Sequence, residues 1–227
     1  MPASNANDRD ERPPLARIAP PLFDLLFSGC RAEHYDAGQH IFLQEDPSDR
    51  LYGMIAGAVE ISLYAADGRK LVANIELSPS LVGEIGALDG RPRTATAICL
   101  AASRLVSVSR VQLYDRIERH PPLARAMIEL VCARLRWVSA ELEDQAFLGV
   151  QARLAKRLIF LSGLMADSAG WISMSQSELA EFLGATRESV NKTLNDWRSR
   201  KLIDLHRGGL HVLDAGALRQ IAAQDDQ

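Results

Sequence analysis

The chain has 227 residues, of which 47% are hydrophobic and 24% are charged, and its formal net charge is −3 at pH 7. This composition excludes global disorder and allows one or two packed domains. No apolar run approaches the roughly 18 residues that a membrane-spanning helix needs. The polar, acidic N-terminus MPASNANDRDERPP is not typical of a signal peptide, so we expect a cytoplasmic protein with no membrane partner.

The three cysteines, Cys30, Cys99 and Cys132, are odd in number and far apart in the sequence, which argues against a disulfide framework and against a thiolate metal site. Zinc and iron–sulfur sites need clustered thiolates. We therefore expect no metal. Nor does the sequence contain a nucleophile elbow, an HExxH segment or a phosphate-binding Walker motif, so an enzyme is not predicted.

Residues from about 40 to 109 have the pattern of a β domain. Segments 59–64 and 71–77 alternate in polarity, and the apolar side chains of the second, from Leu71 to Leu77, share one face. Asp67-Gly68 between them is a hairpin-turn signal. Short strands with turns at close intervals favour a sandwich or a barrel.

A long helix is predicted after His120-Pro121-Pro122, because no glycine or proline follows until Gly149. Its apolar residues recur at spacings of four and three, as in a heptad seam. One interpretation is an amphipathic helix that lies on its own domain; the other, which the narrow seam favours, is a dimer interface. After Ala124, the seam residues are Ile128, Val131, Leu135, Val138 and Leu142.

The last third of the chain predicts a helix-turn-helix followed by a hairpin. Ser175 and Glu178 form a capping-box pattern, Gly184 ends the first helix, and Thr186 can cap the second. Two short apolar strands around Arg207-Gly208-Gly209 then predict a wing.

The second helix of such a motif reads the major groove of DNA. Although the chain is acidic overall, residues 187–207 contain six basic and only three acidic side chains, which would attract phosphates. An ordinary surface helix is the alternative. The candidate DNA-binding residues are Ser175, Ser177, Thr186, Arg187, Glu188, Asn191 and Lys192.

The segment SQSELAEFLGATRESVNKTL and the order of the elements resemble the CRP/FNR superfamily of bacterial transcription regulators. The resemblance implies an α+β fold: a jelly-roll-like, cyclic-nucleotide-binding β-roll, a long dimerisation helix and a winged helix-turn-helix. It also implies a homodimer that binds a palindromic double-stranded DNA site and contacts RNA polymerase. The corresponding parts are a disordered arm (1–21), the β-roll (22–120), the dimerisation helix and hinge (121–148) and the DNA-binding domain (149–227).

Within this resemblance, Arg187 and Glu188 would read base edges. Lys192 departs from the arginine of many members, and the two cations are not equivalent at a bidentate contact. The half-site sequence therefore stays open, as do the target genes and the choice between activation and repression.

A glycine-punctuated loop, LVGEIGALDGRPRTATA, predicts a ligand site in the β domain. Gly83 allows a ligand to approach the backbone closely, and Glu84 can accept a hydrogen bond from a ribose hydroxyl. Arg93 can donate two hydrogen bonds to the oxygens of a phosphate. The alternative is a turn with a surface Glu84–Arg93 ion pair. The resemblance favours the site, since the superfamily's phosphate-binding cassette is matched at Gly83, Glu84, Ile85, Gly86, Arg93, Thr94 and Ala95.

The base contact is less defined by the sequence. The resemblance places the adenine-binding Thr-Ser pair of the superfamily at Val138 and Ser139, the serine reaching the ligand of the other subunit. Valine cannot form that hydrogen bond, while Thr94 resembles a threonine that cyclic-GMP-binding domains use. The effector is thus cAMP or cGMP. Two alternatives within the superfamily remain: a ligand-independent regulator, and a haem or redox sensor that uses His34, His40 or His120.

Overall fold

The computed structural model describes residues 18–223, which form two compact units that divide between Val138 and Ser139. Most of the predicted arm, residues 1–21, lies outside the described residues. Its last part does not match the prediction of disorder, because Ile18 is buried in the core and a helix begins at Pro20. Within residues 18–223, no helix combines the length and the apolar character needed to cross a bilayer.

The first unit is built on two four-stranded antiparallel sheets, with strand orders β1-β8-β3-β6 and β2-β7-β4-β5. This arrangement confirms the predicted β-roll. The strands are β1 Glu33–Tyr35, β2 His40–Phe42, β3 Arg50–Ala56, β4 Ala58–Tyr64, β5 Lys70–Leu77, β6 Ser80–Val82, β7 Thr96–Cys99 and β8 Ser103–Ser109.

The predicted hairpin joins β4 to β5, and its turn has Gly68 at φ +83°. On the inner face of β5, however, the structure places two polar residues that the apolar pattern did not predict. Asn74 and Glu76 are buried, opposite Ile61 and Val59 of β4.

Four helices pack on this unit: α1 Pro20–Leu26, α2 Glu84–Asp89, α3 Arg110–Arg119 and the first part of α4 Pro121–Phe147. One apolar cluster lies between the sheets, and a second joins the sheet of β3 and β8 to the helices. The first includes Met54, Val59, Val82, Ala97, Cys99 and Leu105; the second includes Leu26, Leu51, Leu81, Val108, Leu113 and Leu123.

Two faces of α4 differ in their surroundings. Leu123, Met127 and Leu130 are buried in the second cluster, so part of the helix does lie on its own domain. The predicted seam lies on another face and is open: the exposed fractions are 64% for Ile128, 38% for Val131, 65% for Leu135, 54% for Val138 and 68% for Leu142.

The second unit confirms the predicted winged helix-turn-helix. After the end of α4, it consists of helices α5 Val150–Met165, α6 Gln176–Leu183, α7 Arg187–Ser199 and α8 Ala215–Ala222, and of strands β9 Trp171–Ile172, β10 Ile203–His206 and β11 Gly209–Val212. The strands form one antiparallel sheet in the order β10-β11-β9, and β10 and β11 are the wing. Leu154, Leu158, Phe182, Leu194 and Trp197 are fully buried in this unit.

Candidate ligand site and nucleic-acid interface

Gly83 lies between β6 and α2 in a left-handed conformation, with φ +79°. A Cβ at this position would collide with Nη1 of Arg93 and lie 3.0 Å from Cε1 of Phe42. Glycine is therefore required here for two reasons, backbone conformation and space. This close approach brings the loop that carries Glu84 against the side chain of Arg93.

Arg93 is buried, with 3% of its surface exposed. Its Nη1 donates to the Gly83 carbonyl at 2.8 Å and its Nη2 to the Arg50 carbonyl at 2.7 Å. The guanidinium carbon lies 4.1 Å from the centre of the Phe42 ring and 5.7 Å from that of Tyr52. The cation is thus fixed by two carbonyls and two rings, and each terminal nitrogen keeps a second N–H for another acceptor.

Arg93 is a buried cation to which no carboxylate of residues 18–223 is hydrogen-bonded. Burial lowers the pKa of Arg93 from its ordinary value, while Tyr52, Asp49 and Glu84 oppose that shift. A cation in such surroundings gains from an anionic ligand that enters the same desolvated space.

Glu84 is buried as well, with 1% exposed, and its ion-pair partner is Arg134 of α4. Arg134 Nη1 lies 3.0 Å from Glu84 Oε1, although the angle is not that of a hydrogen bond. Arg134 Nη2 donates to Glu76 Oε1 at 3.1 Å and to the Leu81 carbonyl at 2.7 Å. One arginine from the long helix therefore joins two carboxylates of the β-roll.

These contacts exclude the alternative of a surface Glu84–Arg93 pair. Both side chains are buried, and in the described chain the ion pair of Glu84 is with Arg134. The two residues are held apart from each other, one by carbonyls and the other by an arginine.

Several buried polar atoms around this loop have no hydrogen-bond partner among residues 18–223. They are Glu84 Oε2, Arg93 Nε, Asn74 Oδ1, Ser80 Oγ and Arg134 Nε. An unpaired buried polar group costs about 1–3 kcal/mol, so a cluster of donors and acceptors in this state is typical of a site that a polar ligand completes. A cyclic nucleotide, with a phosphate, a ribose hydroxyl and polar base edges, fits this mixture of donors and acceptors.

The remaining predicted ligand residues differ in exposure. Ala95 is buried beside Arg93, whereas Ile85 and Thr94 are exposed. Ser139 lies on α4 at the start of the second unit, directly after Val138 of the seam.

Sequence reasoning missed three residues of this cluster: Asn74, Glu76 and Arg134. The available signals were two polar side chains within the apolar run of β5, and an arginine four positions after Leu130 on the buried face of α4. Neither signal by itself shows which charges meet.

Among residues 18–223, no group of His, Cys, Asp or Glu side chains is arranged to hold a metal ion. The three histidines considered for haem, His34, His40 and His120, are all exposed.

The capping pattern of the helix-turn-helix is present as predicted. Ser175 Oγ accepts from the Glu178 N–H at 3.2 Å, and Glu178 Oε2 accepts from the Ser175 N–H at 2.7 Å. Gly184, at φ +63°, ends α6, and Thr186 Oγ1 accepts from the Ser189 N–H at 3.2 Å to begin α7. These caps fix the turn that sets the direction of α7.

One face of α7 is buried and the other is open. Val190, Leu194 and Trp197 lie in the core. Of the predicted DNA contacts, Thr186, Arg187, Glu188 and Lys192 are exposed, while Ser175, Ser177 and Asn191 are half-buried. The first turn of α7 thus presents a cation and a carboxylate side by side, a pair that can bond to guanine and cytosine edges.

Comparison with known proteins identifies both parts of the chain. Residues 32–120 match the family described as cyclic nucleotide-binding domain, and residues 152–221 match the Crp-like helix-turn-helix domain. A "CRP-like cAMP-activated global transcriptional regulator" of Mycobacterium tuberculosis is 32% identical over 210 residues, which cover 90% of this chain and 94% of the relative.

Other similar proteins have different regulatory roles. A "Global nitrogen regulator" of Synechococcus elongatus is 27% identical over 213 residues, with 88% of this chain and 94% of the relative covered. The solved structure of the c-di-GMP responsive global regulator CLP from Xanthomonas campestris has a TM-score of 0.76 at 22% identity and covers 86% of this chain and 99% of its own. At this level of identity, the similarity to the Xanthomonas structure shows a shared fold.

Proposed function

The chain belongs to the CRP/FNR superfamily of bacterial transcription regulators, and from this premise we propose that it is a homodimeric, DNA-binding regulator switched by cAMP or cGMP. The observation that carries the effector is the cluster behind Gly83, where buried Arg93 and Glu84 lie among polar atoms without partners. A regulator without a ligand would gain nothing from leaving those groups unsatisfied.

The proposed binding mode assigns one group to each part of the nucleotide. Arg93 binds the phosphate through its remaining N–H groups, and Glu84 accepts from the ribose 2′-hydroxyl through Oε2. The base then lies toward α4, where Val138 offers no hydrogen bond and Ser139 of the other subunit can offer one. Both cAMP and cGMP fit this description. The cAMP-activated description of the mycobacterial relative supports cAMP, and the hydroxyl of Thr94 supports cGMP.

The dimer is proposed from the exposed seam of α4. A helix that leaves five large apolar side chains open along one face needs a partner to remove them from water. A second copy of α4 is the partner with a matching pattern, and a two-fold pair of α7 helices would read a palindromic site.

Polar contacts within the second unit would carry the switch from α4 to the DNA-binding helices. Asp144 near the end of α4 pairs with Lys156 of α5 at 2.7 Å, and Glu141 pairs with Arg157 of the same helix. Gln145 Nε2 donates at 3.1 Å to the carbonyl of Leu183, the last residue of α6. A ligand that favours one arrangement of the two α4 helices would therefore also act on the position of α6 and α7.

The test of this function is the DNA affinity of the purified protein with and without saturating cAMP or cGMP at fixed salt. An operator would first be selected from a random duplex library in the presence of each nucleotide. We expect one nucleotide to raise affinity by about 5- to 150-fold, the range of a 1–3 kcal/mol coupling. Equal affinity under all conditions would instead favour the ligand-independent regulator.

Arg187→Ala is expected to relax the sequence specificity of the protein while its affinity for nucleotide stays unchanged. Loss of a bidentate arginine–guanine contact removes about 1–3 kcal/mol of discrimination at one base pair. The measurement is the Kd for the selected operator and for its single-base-pair variants.

Arg200→Ala is the matched control, because Arg200 is exposed at the end of the same helix and pairs with Asp196 at 3.3 Å. Any loss in this variant should be equal on all duplexes, as for a phosphate contact. If Arg187→Ala also weakens all duplexes equally, Arg187 does not read a base.

A further inference from the structure

Glu76 is a buried carboxyl group that the proposed binding mode does not use. It lies on the inner face of β5 and is 2% exposed. The Asn74 amide donates to its Oε1 at 3.0 Å, and Arg134 Nη2 donates to the same oxygen at 3.1 Å. Packing alone does not explain a carboxyl at this depth, since an apolar residue would fill the space without desolvating a charge.

The charges around Glu76 do not balance. Arg134 of α4 is the cation that it bonds, and that same cation also pairs with Glu84 of α2. Asn74, on its own strand, is neutral. Glu60 of the adjacent strand β4 alternates with Val59 and so points to the opposite face, where it pairs with Lys70 at 2.9 Å. Two buried carboxyls thus share one guanidinium, whose side chain is 19% exposed.

This arrangement favours a proton on Glu76. Burial raises the pKa of Glu76 to about 7, and the negative charge of Glu84 adds to the shift, while Arg134 and the Asn74 amide act against it. Glu76 therefore changes charge near neutral pH, next to the carboxylate proposed to bind the ribose.

We propose that Glu76 is a further residue of the ligand site, which positions Arg134 between the two carboxyls and takes up a proton when an anionic cyclic nucleotide binds. The inference rests on the proposed nucleotide pocket and deepens it. Glu76 acts through Arg134 and is a positioning residue. When Glu76 is ionised, its carboxylate holds one terminal nitrogen of Arg134. When Glu76 is protonated, Glu84 is the only one of the two carboxyls that is charged and pairs with Arg134.

The direction of the coupling follows from charge. A cyclic phosphate keeps its single negative charge across the neutral range, so its arrival disfavours a second nearby anion and makes the proton on Glu76 bind more tightly. The complex then holds more protons than the free protein, and nucleotide affinity must fall as pH rises above about 7. Below roughly pH 6, Glu76 is already protonated in both states, and affinity is flat.

The experiment is calorimetric titration of the 227-residue protein with cAMP and with cGMP at several pH values from about 6 to 8.5, in phosphate and in Tris buffer. For the nucleotide that binds, we expect the wild-type Kd to rise about three- to tenfold across this range. At pH near 7 the binding enthalpy should differ between the buffers in the sense of proton uptake. Glu76→Gln, which keeps an acceptor for Arg134 but cannot titrate, should abolish both effects.

Glu60→Gln is the matched control, because it removes a buried carboxylate from the other face of the same sheet. The nucleotide affinity of this variant should depend on pH as that of the wild type does. The proposal is overturned if Glu76→Gln retains that dependence, or if the wild type shows neither a slope nor proton uptake.

A second measurement needs no ligand and separates this inference from the proposed function. Because Glu76 binds its proton more tightly folded than unfolded, its contribution to stability is lost as pH rises from about 4.5 to about 7. The wild-type melting temperature should fall relative to that of Glu76→Gln over this pH range. Above it, the difference between the two melting temperatures should stay constant. If the melting temperatures behave in this way but neither nucleotide binds at any pH, the raised proton affinity of Glu76 is supported. The proposed effector and its coupling to Glu76 are then both rejected.

Discussion

Replacing Arg93 with alanine is expected to weaken the binding of cAMP or cGMP by about 2–5 kcal/mol, which is at least about thirtyfold in Kd. Arg93 is the cation that the Gly83 turn, two carbonyls and two aromatic rings hold in the buried cluster. Its removal would leave the phosphate desolvated and without a counter-charge. Calorimetry with each nucleotide measures the loss.

Two further variants separate a lost phosphate contact from a disturbed fold. Arg93→Lys keeps the positive charge, but a lysine lacks the planar set of donors that can bond to both carbonyls and to a phosphate. We therefore expect an intermediate affinity for the nucleotide. Arg91→Ala removes an exposed arginine two positions earlier and should bind as the wild type does. The assignment fails if Arg93→Ala, with wild-type circular dichroism, binds either nucleotide as tightly as the unchanged protein.

If the protein is the proposed dimer, the double substitution Val131→Asp with Leu135→Asp is expected to convert it into monomers that no longer bind a palindromic operator. Both side chains lie on the open seam of α4, 38% and 65% exposed, and not on the face of Leu123, Met127 and Leu130 that packs on the β-roll. A two-fold interface would place four carboxylates together in an apolar contact. Each subunit would keep its own core. Analytical ultracentrifugation and operator titration measure the two losses.

Arg136→Asp is the control for the seam, because it adds a carboxylate to the same turns of α4 at an exposed position off the seam. This variant should remain dimeric and bind DNA. A dimer that survives the double substitution at micromolar concentration would show that α4 pairs through another face, or that the subunits associate elsewhere.

Local signals in the sequence were sufficient for the elements whose structure depends on nearby residues. The capping box at Ser175 and Glu178, the left-handed glycine at 184 and the cap at Thr186 all act within four positions, and the predicted helix-turn-helix is confirmed. The same holds for the hairpin around Gly68 and for the long helix after His120. In each case the hydrogen bonds or the dihedral angles belong to neighbours along the chain.

The motif of the ligand loop likewise identified candidate ligand residues, and the resemblance to the CRP/FNR superfamily that rested on these motifs is confirmed. The individual roles of Glu84, Arg93 and the α7 side chains remain predictions for the measurements above. A motif specifies residue types at a spacing, but it does not specify which charged partner each one meets.

Only the tertiary structure decided how the charges in the β-roll are paired. The loop motif relates Glu84 to Arg93, but no local pattern relates either residue to Glu76 of β5 or to Arg134 of the long helix. Burial then determines their states: Arg93 is fixed by carbonyls, Arg134 is shared between two carboxyls, and the pKa of Glu76 is raised to about 7. Charge pairing and proton affinity depend on distance and on the exclusion of water, and both quantities exist only once segments far apart in the sequence have packed together.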